Sequence, residues 1–147
     1  MSHVRRATSL DTGLVAALFD AYRQFYRRPA GLDGARRFIA DRLARGDSAI
    51  FLAFDGADAV GFTQLYPSFS SVSMAPIFVL NDLFVAPGGR RKGVGAALLD
   101  AAADHARAEG AVRLTLTTEV SNVTAQSLYE RKGWVRDTVF YTYNFAL

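Results

Sequence analysis

The chain has 147 residues, 50% of them hydrophobic, with eighteen aromatics, no cysteine and a net charge of +3. That size and apolar content suit a single domain over residues 1–147 with a sizeable core, and exclude a disordered or fibrous chain. The missing cysteine excludes disulfides, thiolate metal sites and a cysteine nucleophile.

The stretch "MSHVRRATSLDTG" has no apolar core of signal-peptide length, and no run of about eighteen apolar residues occurs. A soluble, cytoplasmic protein with no membrane partner is expected. The first 46 residues hold nine Arg and four Asp, dispersed along two helical patterns. Nucleic-acid binders concentrate their basic residues on one face, so nucleic acid is not the expected partner. His3 and His105 have no metal-like company, and no metal is expected.

"HVRRA" reads as a first strand. "DTGLVAALFDAYRQFYRR" follows, with Leu14, Leu18, Tyr22 and Phe25 at helical spacing, Asp11 as N-cap and Pro29 as its end. "DGARRFIADRLARG" repeats the logic, with Asp33 as cap, Phe38, Ile39 and Leu43 inside, and Gly46 as stop. "SAIFLAFD" and "AVGFTQLYP" are β-rich runs joined by a turn at "GADA". "YPSFSSVSMAP", residues 66–76, reads as a Ser-rich loop able to form a lid. "APIFVLNDLFVAP" is continuously apolar, as a strand buried on both faces would be. A helix ending at Gly110, a strand "VRLTLTTEV", a short helix from Asn122 to Gly133 and one or two closing strands in "WVRDTVFYTYNFAL" complete the chain. The order β-α-α-β-β-β-α-β-α-β(-β) predicts an α/β fold: a mixed, predominantly antiparallel sheet with helices on both faces.

The chemistry concentrates where "NDLFVAP" runs into "GGRRKGVGAALL", a strand, a Gly-rich loop and a helix. The first N–H groups of a helix lack intrahelical partners, and the helix dipole places partial positive charge there. Gly93 and Gly95 let a ligand approach the backbone, and Arg90, Arg91 and Lys92 add charge at the same end. Three cations at that end oppose the dipole, so they need either an anion or full solvation. The spacing fits neither G-x-x-x-x-G-K-[ST] nor G-x-G-x-x-G; what remains is Arg-x-x-Gly-x-Gly at Arg90, Gly93 and Gly95.

That motif, preceded by "LFVAP", resembles the acetyl-CoA signature of the GNAT N-acetyltransferases. A second stretch, "NVTAQSLYERKGW", is similar to a downstream signature of the same family, with Asn122, Ala125, Leu128, Tyr129, Gly133 and Trp134 at its positions. The resemblance covers roughly residues 77–134 and implies the GNAT acyl-CoA N-acyltransferase fold, in which the fourth and fifth strands splay apart. It further implies acetyl-CoA as co-substrate. The amides of Arg91, Lys92, Gly93, Val94, Gly95 and Ala96 would hold its pyrophosphate, with the Arg90 and Arg91 side chains nearby. The backbone of Leu83, Phe84 and Val85 would pair with the pantetheine arm. Asn122 would contact that arm, and Tyr129 would protonate the leaving thiolate.

Acyl transfer to an amine requires a neutral nucleophile, a polarised thioester carbonyl and a stabilised leaving group. "NDLFV" resembles the acid-acid-hydrophobic-Phe-Val pattern of the polyamine-acetylating branch, with Asn81 in place of the first acid and Asp82 as the remaining base. Glu119 is an alternative acid near the end of the fifth strand. Family members build the acceptor site from the first two helices and the strand ends. Tyr22, Phe25, Tyr26, Phe69 and Tyr141 are candidate walls there, and aromatic walls suit a cationic amine. The expected acceptor is a small-molecule amine such as a polyamine or amino acid. A protein N-terminus or lysine is the enzymatic rival, and a non-catalytic acyl-CoA-binding sensor is the rival of another class. The family often dimerises, and "FYTYNFAL" could pair across a homodimer interface.

Overall fold

The apolar runs assemble into one five-stranded sheet, described for residues 2–147 by a computed structural model. Its strands are β1 (Ser2–Arg6), β2 (Ala49–Asp55), β3 (Asp58–Ser70), β4 (Ala75–Val85) and β5 (Leu114–Thr115), paired in that order. All pairings are antiparallel except β4 with β5, which is parallel. The helices are α1 (Thr12–Phe25), α2 (Leu32–Arg45), α3 (Val94–Ala108) and α4 (Val123–Arg131). The chain forms two compact units, one ending at Thr117 and the other comprising Thr118–Leu147.

Strand alternation sends side chains to two apolar layers. On one face Val15 and Leu18 of α1 and Ile39 of α2 pack with Ile50, Leu52, Phe62 and Phe84. On the other, Val94 and Leu98 of α3 pack with Ala53 and Val60, against Leu83 and Val85. Helices therefore cover both faces, as the element order predicts.

Several local expectations hold. Gly46 ends α2 with φ +62, and Gly133 follows α4 with φ +91, both in the left-handed region that favours glycine. Others are corrected. Asp11 stands at the N-cap of α1 but makes no side-chain cap bond to that helix. Its carboxylate instead turns back to close a capping box with Thr8 and to take two hydrogen bonds from Arg5, each 2.8 Å. Gly31, not Asp33, is the N-cap of α2. Residues 66–76 are mostly hairpin, with only the turn 71–74 outside the strands, so they form no irregular lid.

The expected strand "VRLTLTTEV" shortens to two residues, and none of residues 132–147 forms a strand. The cause of the shortening lies in β4. Gln64 pairs with Asp82 but Leu65 pairs with Leu80, so Asn81 is an extra residue, a β-bulge. A bulge bends its strand, and this one follows the last β4–β5 pair, Val79 with Thr115. Among the described residues no strand pairs with Leu80–Val85 on that side, in keeping with the splay expected between the fourth and fifth strands. Residues 132–147 keep the alternating aromatics but are not in strand conformation.

Candidate active site

The bulge decides which way the acids of "NDLFV" point. Phe78 meets His105 of α3 at 5.2 Å between ring centroids, whereas Phe84 packs among the side chains beneath α1 and α2. Asn81 and Asp82 both stand on the α1–α2 side, and the Asn81 amide donates to Asp82 Oδ1 at 3.2 Å. Asp82 is 4% exposed. Gln64 Nε2 donates to its Oδ2 at 2.6 Å, and Thr63 Oγ1 donates to its main-chain carbonyl at 2.8 Å. Burial raises the Asp82 carboxyl above the usual carboxylate range, and hydrogen bonds from Gln64, Asn81 and Tyr22 oppose that rise. Tyr66 is pushed up to about 12, first by burial and then by the charge of Asp82.

An aromatic run leads from solvent toward this acid. Phe25, which is 51% exposed, meets Tyr26 at 5.3 Å; Tyr26 meets Tyr22 at 5.1 Å. Tyr22 then stands edge-on to Phe62 at 5.8 Å and to Phe84 at 6.2 Å, and its hydroxyl donates to the Asn81 carbonyl at 3.2 Å. An open cleft of about 360 Å³ runs beside it, lined by Ala21, Gln24, Phe25, Phe84, Pro87 and Arg90. Tyr22, Phe25 and Tyr26 are thus grouped near Asn81 and Asp82. Phe69 is not: alternation along β3 turns it to the face opposite Gln64, and it is 77% exposed.

The Gly-rich loop ends at Gly93, the N-cap of α3, with φ +76 and no side chain capping the helix. Arg91 also adopts a left-handed conformation, φ +63, which is uncommon for a residue other than glycine. A side chain built on Gly93 would meet nothing within 4 Å, so the helix end faces open space. The three cations differ. Lys92 Nζ pairs with Asp55 Oδ2 at 3.1 Å. Arg90 Nε donates to the Val85 carbonyl at 2.9 Å, and its guanidinium lies 6.0 Å from the Phe84 ring centre. Arg91, among the described residues, makes no hydrogen bond or ion pair and is exposed. The uncapped amides of Val94, Gly95 and Ala96, the free Arg91 and the unpaired β4 edge from Leu83 to Val85 suit an anion joined to an amide-bearing arm, as acyl-CoA is.

The remaining predicted residues belong to the unit Thr118–Leu147. Asn122 caps α4: its Oδ1 accepts from the Ala125 amide at 3.2 Å. Tyr129 lies on that helix with its ring 6.1 Å from Trp134. The Glu119 carbonyl accepts from the Gln126 side chain at 3.1 Å, and Tyr141 is 90% exposed.

Among the described residues, no three His, Cys, Asp or Glu side chains gather as a metal would require, and no helix is long and apolar enough to cross a membrane. The open β4 edge, the uncapped helix end and the buried acid suit an enzyme that takes an acyl-CoA. Residues 15–134 match the Acetyltransferase (GNAT) family, and the chain belongs to that family of N-acetyltransferases. It is 49% identical over 141 residues to an uncharacterized N-acetyltransferase, YhfO, of Bacillus subtilis, covering 96% of this chain and 95% of that one. It is 33% identical over 95 residues to a D-amino-acid N-acetyltransferase of Saccharomyces cerevisiae, covering 63% and 59%. A crystal structure of a probable acetyltransferase superposes with a TM-score of 0.93 at 39% identity, covering 99% and 97%.

Sequence reasoning missed Gln64, Ser48 and Tyr66. The signal was a glutamine inside the apolar run "GFTQLYP", which alternation places on the same face as Phe62 and Tyr66.

Proposed function

We propose that this enzyme acetylates the primary amine of a small molecule, of amino-acid size, in a ternary complex with acetyl-CoA. The observation that carries this reading is the buried carboxyl of Asp82, set at a bulge beside the aromatic run of Tyr22, Tyr26 and Phe25. An ammonium has no lone pair, so a base must take its proton first. Asp82 is that base, and its slight exposure has the proton cross one water rather than a direct contact. Acetyl-CoA supplies the acyl thioester. Leu83–Val85 hold its arm along the open β4 edge, the amides from Arg91 to Ala96 hold its pyrophosphate, and Asn122 contacts the arm through its free amide nitrogen. A β4 amide polarises the carbonyl, and the Tyr129 hydroxyl delivers the proton to the leaving thiolate.

The seven arginines carried by residues 12–46 favour an acceptor that is not a polycation, so an amino-acid-like amine fits better than a polyamine. The D-amino-acid acetylating relative supports the same acceptor class. The exposed Phe140, Tyr141, Tyr143 and Phe145 support a homodimer.

The test is thiol release from acetyl-CoA across a panel of amino acids of both hands, aminoglycosides, polyamines and short peptides, with calorimetry of CoA binding alongside. Turnover of amino acids carries the proposal. Turnover of peptides alone replaces it, and binding without thiol release marks a sensor.

A further inference from the structure

We propose that Gln64 is a positioning residue that holds Asp82 Oδ2 against β3, leaving Oδ1 as the oxygen that receives the amine's proton. This rests on Asp82 being the base. Gln64 is fully buried, with an exposure of 0%, and sits directly opposite Asp82 in the β3–β4 pairing. Its Nε2 donates to Oδ2 at 2.6 Å. Its Oε1 is occupied in turn by the Ser48 hydroxyl at 2.8 Å. Turning the amide over would set its oxygen against a carboxylate oxygen, so the carboxylate fixes which end faces it, and the Ser48 hydroxyl satisfies the other end.

The consequence for the carboxylate is directional. Oδ2 is committed to the interior, toward β3 and β2. Oδ1 faces Asn81, an exposed residue whose carbonyl holds the Tyr22 hydroxyl. Proton delivery from solvent or acceptor therefore meets Oδ1. An amide N–H stabilises a carboxylate and cannot serve its protonated form as well, so Gln64 also opposes the rise that burial imposes on the acid. The other titratable neighbours are Tyr22 on α1 and Tyr66 on β3, with Arg42 of α2 and Asp47 near Tyr66. A glutamine present only to fill the core would leave the acid's titration to these groups.

The experiment uses the full chain with Gln64→Met, which keeps length and volume but removes the donor, with Ser48→Ala and with Asp82→Asn. Two readouts are taken: the titration of the Asp82 carboxyl by carbon-13 NMR, and kcat/KM against pH with the best amine of the panel. Gln64→Met is expected to move both midpoints to higher pH and to lower kcat/KM at neutral pH about tenfold, with acetyl-CoA affinity unchanged. Ser48→Ala is expected to move them the same way by less, and it carries the test should Gln64→Met fail to fold by circular dichroism. Unmoved midpoints, with the acid limb lost in Asp82→Asn, overturn the role of Gln64 alone. An Asp82→Asn enzyme that keeps the acid limb overturns the base and, with it, the positioning residue.

Discussion

Lys92 and Asp55 form an ion pair of 3.1 Å, tying the Gly-rich loop to the end of β2. One of the three loop cations is thereby neutralised within the protein, and the lysine holds the Asp55 carboxyl below the usual carboxylate range. Arg90 is likewise engaged with Val85, which leaves Arg91 as the free charge of the loop.

Arg91→Ala should therefore weaken CoA binding more than Lys92→Ala, about fivefold against twofold or less, as calorimetry at low salt would read. Gly93→Val should lose at least about tenfold, because φ +76 strains a branched residue and its side chain would enter the space at the helix end. Normal CoA binding by Gly93→Val would remove the loop from the site.

Asp82 must be ionised to act, and burial raises its carboxyl. Activity should fall as pH drops through that raised value, so the acid limb of kcat/KM lies above the range of an exposed carboxylate. The stability sign is opposite: a raised acid favours the folded state at low pH and loses that contribution as pH rises. Asp82→Asn should abolish the acid limb and leave the unfolding midpoint at neutral pH unchanged or higher.

Asp11 behaves in the contrary sense. The Arg5 guanidinium holds its carboxyl down to about 2. Its contribution is present above the unfolded value and lost as pH falls toward about 2. Asp11→Ala should cost about 1 kcal/mol at neutral pH through the lost capping box. Urea unfolding from pH 7 to pH 3 should show a smaller acid loss in the variant than in the parent.

Gly61 lies where a Cβ would stand 2.9 Å from the Phe84 carbonyl and 3.2 Å from Val94 Cγ1. The first is main chain, so it cannot swing aside. Gly61→Ala should destabilise by about 1–3 kcal/mol in chemical denaturation, pushing β4 from β3 at the residues assigned to the pantetheine arm.

Tyr129→Phe keeps the ring beside Trp134 and removes only the hydroxyl. As the proton donor to the thiolate, its loss should lower kcat about a hundredfold with acetyl-CoA KM little changed. An unchanged kcat across pH would take Tyr129 out of the reaction.

What was legible in the sequence was local. Gly93 and Gly133 announce left-handed backbone, Asn122 announces a helix cap, and "NDLFV" announces an acid on a strand, because each depends on neighbours along the chain. What was hidden depends on pairing. Lys92 meets a residue 37 positions away, and Gln64 meets Asp82 only through the β3–β4 register. Asp11 has the composition of a helix cap, but a bidentate arginine on β1 outcompetes the helix for it. Alternation in "WVRDTVFYTYNFAL" likewise marks a chain able to form a strand, and strand pairing is not written in alternation.

The bulge at Asn81 makes the number of residues in β4 as much a part of the chemistry as their kinds. With Asn81 removed, β4 would pair regularly with β3 and still set Asp82 opposite Gln64 and Phe84 beneath α1 and α2, but it would lose its bend and the carbonyl that holds the Tyr22 hydroxyl. Residue 81 thus serves through its presence in the strand, its carbonyl and the side-chain amide that reaches Asp82. A descendant enzyme could exchange its acceptor by substitution around the cleft, while loss of this one residue would straighten β4 along the edge assigned to the pantetheine arm.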